Sequence, residues 1–325
     1  MEQRFSLDKS SKKFDCPSCN KKRLVRYKDN QLNQYLPEIV GRCDRESSCQ
    51  YHLSPRVFFK DNPDYLKDTD SWRKSDAYKT TYQAPTPKPQ KINFLPEKIM
   101  RQSMQHYEAN HFVRYLKSLF GEGVTTDLIN RFHIGTSKRW NGATVFWQVD
   151  HERNIRQAKV MLYNPHTGRR IKNDQHPKPG TAKIYFAGKQ ILRQSGIQDP
   201  NLQQCLFGAH QLTTAPDKPI AIVESEKTAI LMTVIAPSHI WLATGGTNGA
   251  KWSSIEVCGI LAGRDVILYP DLGCYEKWQD KSKLLQALTH SFKISDLLEQ
   301  HATENDKKNG LDVADYFIRR DMDYG

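Results

Sequence analysis

The sequence predicts an α/β chain whose last third is a parallel sheet with flanking helices, preceded by an α+β subdomain and a small cysteine-built β module. Three observations lead there. Four of the seven cysteines fall in the first fifty residues, as Cys16-x2-Cys19 and Cys43-x5-Cys49. From residue 216 onward, unbroken apolar runs such as Ile220–Val223 alternate with helix-compatible stretches, the pattern of strands covered on both faces by crossover helices. Between these regions lie a helical periodicity and two strand patterns joined by a short polar turn.

The first element, residues 1–56, reads as a zinc ribbon. Cys16 and Cys19 form a tight knuckle whose thiolates can face one metal, and Cys43 with Cys49 can supply the other pair across an antiparallel hairpin. Four thiolates suit tetrahedral Zn2+ as a structural ion. Residues 24–27 and 35–36 are the candidate hairpin strands. The second spacing is looser than the first, so His52 competes for the fourth ligand position. Cys205, Cys258 and Cys274 read as ordinary buried thiols, because an odd cysteine count gathered this way is no secreted disulfide framework. Lys12, Lys13, Lys21, Lys22, Arg23 and Arg26 crowd the first knuckle, a density that suits phosphate contacts. Residues 57–95 are polar and include Ala84-Pro-Thr-Pro-Lys-Pro89, which favours an extended linker.

In residues 96–215, Phe112, Tyr115, Leu116 and Leu119 at i, i+3, i+4 and i+7 predict a helix. Gly121-Glu-Gly123 closes it, and Thr125-Thr-Asp127 restarts another. Residues 143–147 and 158–163 predict strands joined through the turn at 150–154. Arg156, Lys159, Arg169, Arg170 and Lys172 lie on or beside those strands, either as phosphate-binding cations or as solvated strand-face charges. Trp140, Trp147 and Tyr163 either stack bases or fill the core. In residues 216–325, the runs at 220–223, 239–243 and 266–269 predict strands and 227–235 a helix. Residues 294–302 and 311–318 look like amphipathic helices.

Charge is distributed unevenly. The 325 residues carry 48 Lys+Arg against 36 Asp+Glu, a formal net charge of +12. The excess is +7 over residues 1–95 and +9 over 96–215, whereas residues 216–325 come to −4. Basic surface ahead of an acidic sheet fits a polyanionic partner. No apolar run approaches the ~20 residues that span a bilayer, and no secretory leader is visible, so a cytoplasmic protein without a membrane partner is expected. Lys251 is followed by Trp252 and not by Ser or Thr, so the phosphate-binding loop of a motor ATPase is missing and any unwinding falls to a separate helicase.

The acids of the last third carry the chemistry. Glu224 falls just past the carboxyl end of the 220–223 strand, and Asp271 just past that of 266–269, where open parallel sheets bind ligands. Carboxylates delivered from neighbouring strand ends can share Mg2+ or Mn2+. Glu226 and Asp265 are further acids nearby. The competing reading is that strand-end acids cap helices.

A family resemblance rests on these residues. Val223-Glu224-Ser-Glu226-Lys227-Thr-Ala229 resembles the first motif of Toprim domains, and Thr244-Gly-Gly-Thr-Asn-Gly249 resembles the glycine turn that follows it. Pro270-Asp271-Leu272-Gly273 stands where such domains carry Asp-x-Asp, with glycine in place of the second acid. Residues 115–136 resemble the helical segment ahead of the primase core strands, residues 145–163 those strands, and Cys205-Leu-Phe-Gly-Ala-His210 the short motif before the Toprim strand. With a zinc ribbon in front, the order is similar to that of bacterial and phage-type DNA primases, including compact ones carried on mobile elements.

The resemblance implies a primase-core subdomain over 96–215 and a Toprim domain over 216–325. It implies Glu224 as metal ligand or general base, Asp271 as a metal-binding aspartate and Glu226 as a further Mg2+ ligand. Arg156, Lys159, Arg169, Arg170, Lys172 and Lys227 would bind nucleic acid or nucleotide. The implied activity is a nucleotidyltransferase making short primers on single-stranded DNA from nucleoside triphosphates. Glu276 or Asp280 would replace the missing acid if the chain bent back. Gly273 also supports a non-catalytic single-stranded DNA-binding accessory of replication or mobilisation, and a Toprim nuclease is a third reading.

Overall fold

The structure, a computed structural model, describes residues 4–44, 49, 51–63, 91–173, 181–246 and 249–323. The chain divides into two compact units, residues 1–90 and 91–325. Among the described residues no helix is long and apolar enough to cross a membrane.

The first unit is built on one long strand. β1 (Phe5–Leu7), β2 (Phe14–Asp15), β4 (Gln34–Tyr35) and β5 (Gly41–Cys43) all pair antiparallel with β3 (Lys22–Asp29). Leu24, fully buried, is opposite both Phe14 and Cys43, so the small core forms where the two knuckles meet. Gly41 is required by close approach, since a Cβ there would lie 2.6 Å from the Val25 carbonyl oxygen. α1 (Pro55–Asp61) starts at Ser54, whose hydroxyl accepts from the Val57 N–H, and it buries Phe58 against Leu36 and Val40. Folded structure therefore runs past residue 57, where the linker was expected to begin, because Phe58 has a core to enter. The proline alternation at 84–89 lies outside the described residues.

Early in the second unit the Asn93 N–H donates to the Asn201 carbonyl and the Leu95 N–H to the Ile155 carbonyl, so the expected linker is again shorter at its far end. α2 (Glu97–Ser103) and α3 (His111–Phe132) follow. Asn110 caps α3: its Oδ1 accepts from the Phe112 and Val113 N–H groups and the Thr144 hydroxyl, and its Nδ2 donates to the Gly135 carbonyl. Gly121, at φ 75 and ψ 178, breaks α3 where glycine was expected to end it. β6 (Gly135–Ser137), β7 (Ala143–Val149), β8 (Ile155–Met161) and β9 (Ile184–Phe186) form an antiparallel sheet in that order. Val145, Trp147, Ala158 and Val160 face Leu95, Met100 and Leu192, the last on α4 (Gly188–Gln194). Phe146 and Met161 face the opposite way, toward α3 and the second sheet. Trp147 and Tyr163, 2% and 1% exposed, are core residues and stack no base.

The second sheet is wholly parallel, in the order β11-β10-β12-β13. β10 (Ile220–Val223) leads into α5 (Glu226–Ile235), then come β11 (Ile240–Ala243), α6 (Ile255–Cys258) and β12 (Asp265–Leu268). α7 (Tyr275–Lys281), α8 (Lys283–Leu288) and β13 (Ser291–Ile294) complete the sheet. α9 (Leu297–His301), α10 (Glu304–Asn309) and α11 (Val313–Asp323) end the described chain. Residue 294 therefore closes a strand, whereas the sequence pattern predicted the start of a helix. Ser-Phe-Lys-Ile buries only one face of an edge strand, and its period of two over four residues is too short to stand out. Phe112, Phe146 and Phe207 share one core with Ala221, Val223 and Val313, so packing runs unbroken across residues 215 and 216.

Candidate functional site

The first site is the cysteine cluster. The ligand atoms of Cys16, Cys19, Cys43 and Cys49 all lie within 4.8 Å of one another, with the sulfurs of Cys16 and Cys49 3.6 Å apart. Zn–S bonds of about 2.3 Å place tetrahedral sulfurs roughly 3.8 Å apart, so the thiol set suits a zinc ion. The knuckle is shaped by backbone bonds from the Cys16 N–H to the Lys21 carbonyl and from the Asn20 N–H to the Cys16 carbonyl, with Asn20 at φ 51. His52 does not compete for this position. Its Nε2 is 2.9 Å from the Tyr27 hydroxyl and its ring stacks on that tyrosine.

The second site lies at the carboxyl ends of β10 and β12, which are hydrogen-bonded neighbours. Glu224 follows β10 directly. The helix after it is capped by Ser225, whose hydroxyl accepts from the Thr228 N–H, so Glu224 is spared that role. The Gly245 and Gly246 N–H groups both donate to the Glu224 carbonyl at 3.0 Å, and both glycines hold positive φ (80 and 109), which explains the glycines of this turn. Asp271 follows β12. The Leu272 N–H donates to the Leu311 carbonyl, and this bond brings the start of α11, with Asp312, beside the Asp271 turn.

Electrostatics reflect how closely these acids converge. Burial first, then the carboxylates of Asp312 and Glu224, hold the Asp271 carboxyl well above the ordinary carboxylate range, against the opposing charges of Arg170 and Lys227. Asp312 is driven the other way: burial would raise it, but Lys227, the Asp315 N–H and the Thr228 hydroxyl outweigh that. Asp312 does not stand out in the sequence, where it merges into an amphipathic pattern. Its one local signal is the helix start, since its Oδ1 caps α11 by accepting from the Asp315 N–H. Glu276 and Asp280 are exposed on α7. Gly273 sits at φ 78, and its N–H donates to Glu299 Oε1 at 2.8 Å. Asp265 is at the opposite end of β12, accepting from the Ser291 hydroxyl.

Oxygen donors carrying surplus negative charge are the chemistry a hard divalent cation requires, so the residues present fit one. They are gathered less tightly than the thiols: among the described residues, the cysteines are the set of three or more ligand atoms that all lie within 4.8 Å.

Several expected cations are already engaged. Lys159 Nζ is 2.8 Å from Glu226 Oε2 and 2.9 Å from the Gly245 carbonyl, with both side chains buried. This corrects two expectations, because Glu226 faces the interior instead of a metal and Lys159 faces Glu226 instead of a phosphate. Lys227 pairs with Asp315 at 3.0 Å and Asp312 at 3.3 Å, which corrects its expected nucleotide contact. Arg156 pairs with buried Asp150 and lies over the Phe94 ring, so it clamps the β7–β8 turn. Arg169, Arg170 and Lys172 are exposed.

A family model for a domain of unknown function, DUF6371, matches residues 110–272, half of the chain, and spans both strand-end acids. The chain belongs to the DUF6371 family. A zinc beta-ribbon finger model matches residues 3–64, ahead of the DUF6371 region. No curated protein matches the chain. Solved structures similar to this DUF6371 chain include the Escherichia coli primase catalytic core, at 13% identity and TM-score 0.40 over 69% of this chain and 82% of that one. The RNA polymerase domain of Mycobacterium tuberculosis primase is similar at 9% and 0.40, over 69% and 84%. The primase fragment of the bacteriophage T7 primase-helicase is similar at 11% and 0.36, over 92% and 98%.

Proposed function

We propose that this protein is a primase-type nucleotidyltransferase acting on single-stranded DNA, with a Toprim-like acidic site at the ends of β10 and β12. The observation that carries the reading is the placing of Glu224 and Asp271 just past the carboxyl ends of neighbouring parallel strands, where burial and then the Asp312 and Glu224 charges raise the Asp271 carboxyl, beside the exposed Arg170. Glu224, Asp271 and Asp312 would hold Mg2+ or Mn2+, which when bound neutralises a triphosphate. Arg170 and Lys172 would contact phosphates of template or nucleoside triphosphate. A 3′-hydroxyl would attack the α-phosphorus and give up its proton to solvent, so that the new O–P bond forms as the bond from the α-phosphorus to the departing diphosphate breaks. A separate helicase partner belongs to the same reading, as does an origin on a mobile element.

The test is primer synthesis from labelled ribonucleotides on single-stranded templates with Mg2+ or Mn2+. Short products should form with the native chain and disappear in Glu224→Gln and Asp271→Asn, while both variants keep DNA binding. Undiminished products from Glu224→Gln would overturn the proposal. A second reading, a DNA-binding accessory without catalysis, is favoured by Gly273 and by the looser spacing of the acids. It expects salt-sensitive DNA binding and no metal-dependent product from the native chain.

A further inference from the structure

β9 is the outer strand of the antiparallel sheet, and it shows an apolar pair to solvent: Ile184 is 38% exposed and Phe186 41%. Antiparallel partners share a face, as do alternate residues of one strand. Phe186 is opposite Lys159 and Ile184 opposite Met161. Arg170 is bridged to Tyr163, and Lys172 to Ala182, two residues before Ile184. The register therefore puts Arg170, Lys172, Ile184 and Phe186 on the face that carries Lys159, Met161 and Tyr163. The centre of that face is buried against the parallel sheet, with Lys159 on Glu226. Its outer end, at Ile184 and Phe186, is exposed among the described residues.

The exposed end has two chemistries in one row. Arg170 and Lys172 are exposed cations, and Arg170 lies close enough to Asp271 for its charge to act on that carboxyl. Ile184 and Phe186 are exposed apolar side chains about 6.8 Å apart along the strand. An aromatic ring in line with cations that lead to an acidic site matches a polyanion with flat apolar units, which is a single-stranded nucleic acid. We infer that this edge is a platform for single-stranded DNA, on which Phe186 stacks a base, Ile184 packs beside it, and Arg170 and Lys172 hold the flanking phosphates. The inference rests on the proposed function and adds the residues that would receive unpaired bases.

The test is equilibrium binding of the full chain to a fluorescent single-stranded oligonucleotide across a salt series, repeated with an abasic oligonucleotide of the same length. Phe186→Ala should weaken binding to the base-bearing strand about tenfold and leave its salt slope unchanged. The same variant should bind the abasic strand as the native chain does. Phe186→Trp should keep native affinity and lose indole fluorescence on binding. Arg170→Ala with Lys172→Ala should weaken both strands and flatten the salt slope by roughly 0.7 for each phosphate no longer neutralised. Native affinity in Phe186→Ala, or equal loss on both strands, would overturn the platform while leaving the proposed function standing. No binding by the native chain would overturn both.

Discussion

Asp271 is the residue on which the acidic site turns. Its folded form holds a proton more tightly than the unfolded chain does, because burial and two neighbouring carboxylates oppose its charge. Folding stability should therefore fall as pH rises from about 3.9, the ordinary aspartate value, through the raised value of the folded state. Ionising this side chain in the folded protein is therefore costly, a cost that a bound cation would relieve. Asp271→Asn is accordingly expected to raise Tm at pH 7 without metal and to abolish the further rise that millimolar Mg2+ produces in the native chain. Thermal melts of both proteins with and without the ion check this, and an Mg2+ response that survives the substitution counts against the site. The strand-end positions of Glu224 and Asp271 are legible in the sequence, because an acid after an apolar run is a local signal. Asp312 is not, because its closeness to Asp271 depends on one backbone bond between Leu272 and Leu311.

Between elements, the Lys159–Glu226 pair ties β8 to the first turn of α5 across 67 positions of sequence. That separation explains why the sequence alone suggests a phosphate ligand in the strand-borne lysine and a metal ligand in the glutamate: no local pattern marks two charges as partners. One oxygen, Glu226 Oε1, is buried with no hydrogen-bond partner among the described residues, so the glutamate depends heavily on the lysine. Lys159→Met alone is expected to cost about 3–5 kcal/mol by leaving a buried charge uncompensated. Lys159→Met with Glu226→Leu should recover most of that loss. Urea unfolding of the two variants decides it, and a single variant as stable as the native chain would show the pair to be dispensable. Elements themselves are most legible where apolar residues run together. β7, β10, β11 and β12 follow from such runs, whereas β13, half-buried on one side at the edge, does not.

On the scale of the whole molecule, two units follow two strategies for stability. Residues 91–325 bury a continuous core that spans both sheets. The first unit has small apolar clusters around Leu24 and Phe58 and four thiols drawn together. Its folding should therefore follow metal. The protein is expected to carry one zinc per chain, and stripping it with a strong chelator should erase amide protection over residues 4–63, with Cys43→Ser giving the same result. Protection that survives complete removal of zinc would show that the apolar clusters suffice. This division is visible in the cysteine spacing and the later apolar runs. The single core joining residues 96–215 to 216–325 is not, since adjacency of two subdomains in sequence says nothing of how tightly they fuse.

The turn at Gly273 bears on what the fold would accept there. Among the described residues nothing lies within 4 Å of where a Cβ would stand, and the φ of 78 is a conformation that aspartate tolerates for about 1–2 kcal/mol. The backbone therefore sets only a shallow barrier to an acid at this position, and an aspartate could enter the turn without rebuilding the fold.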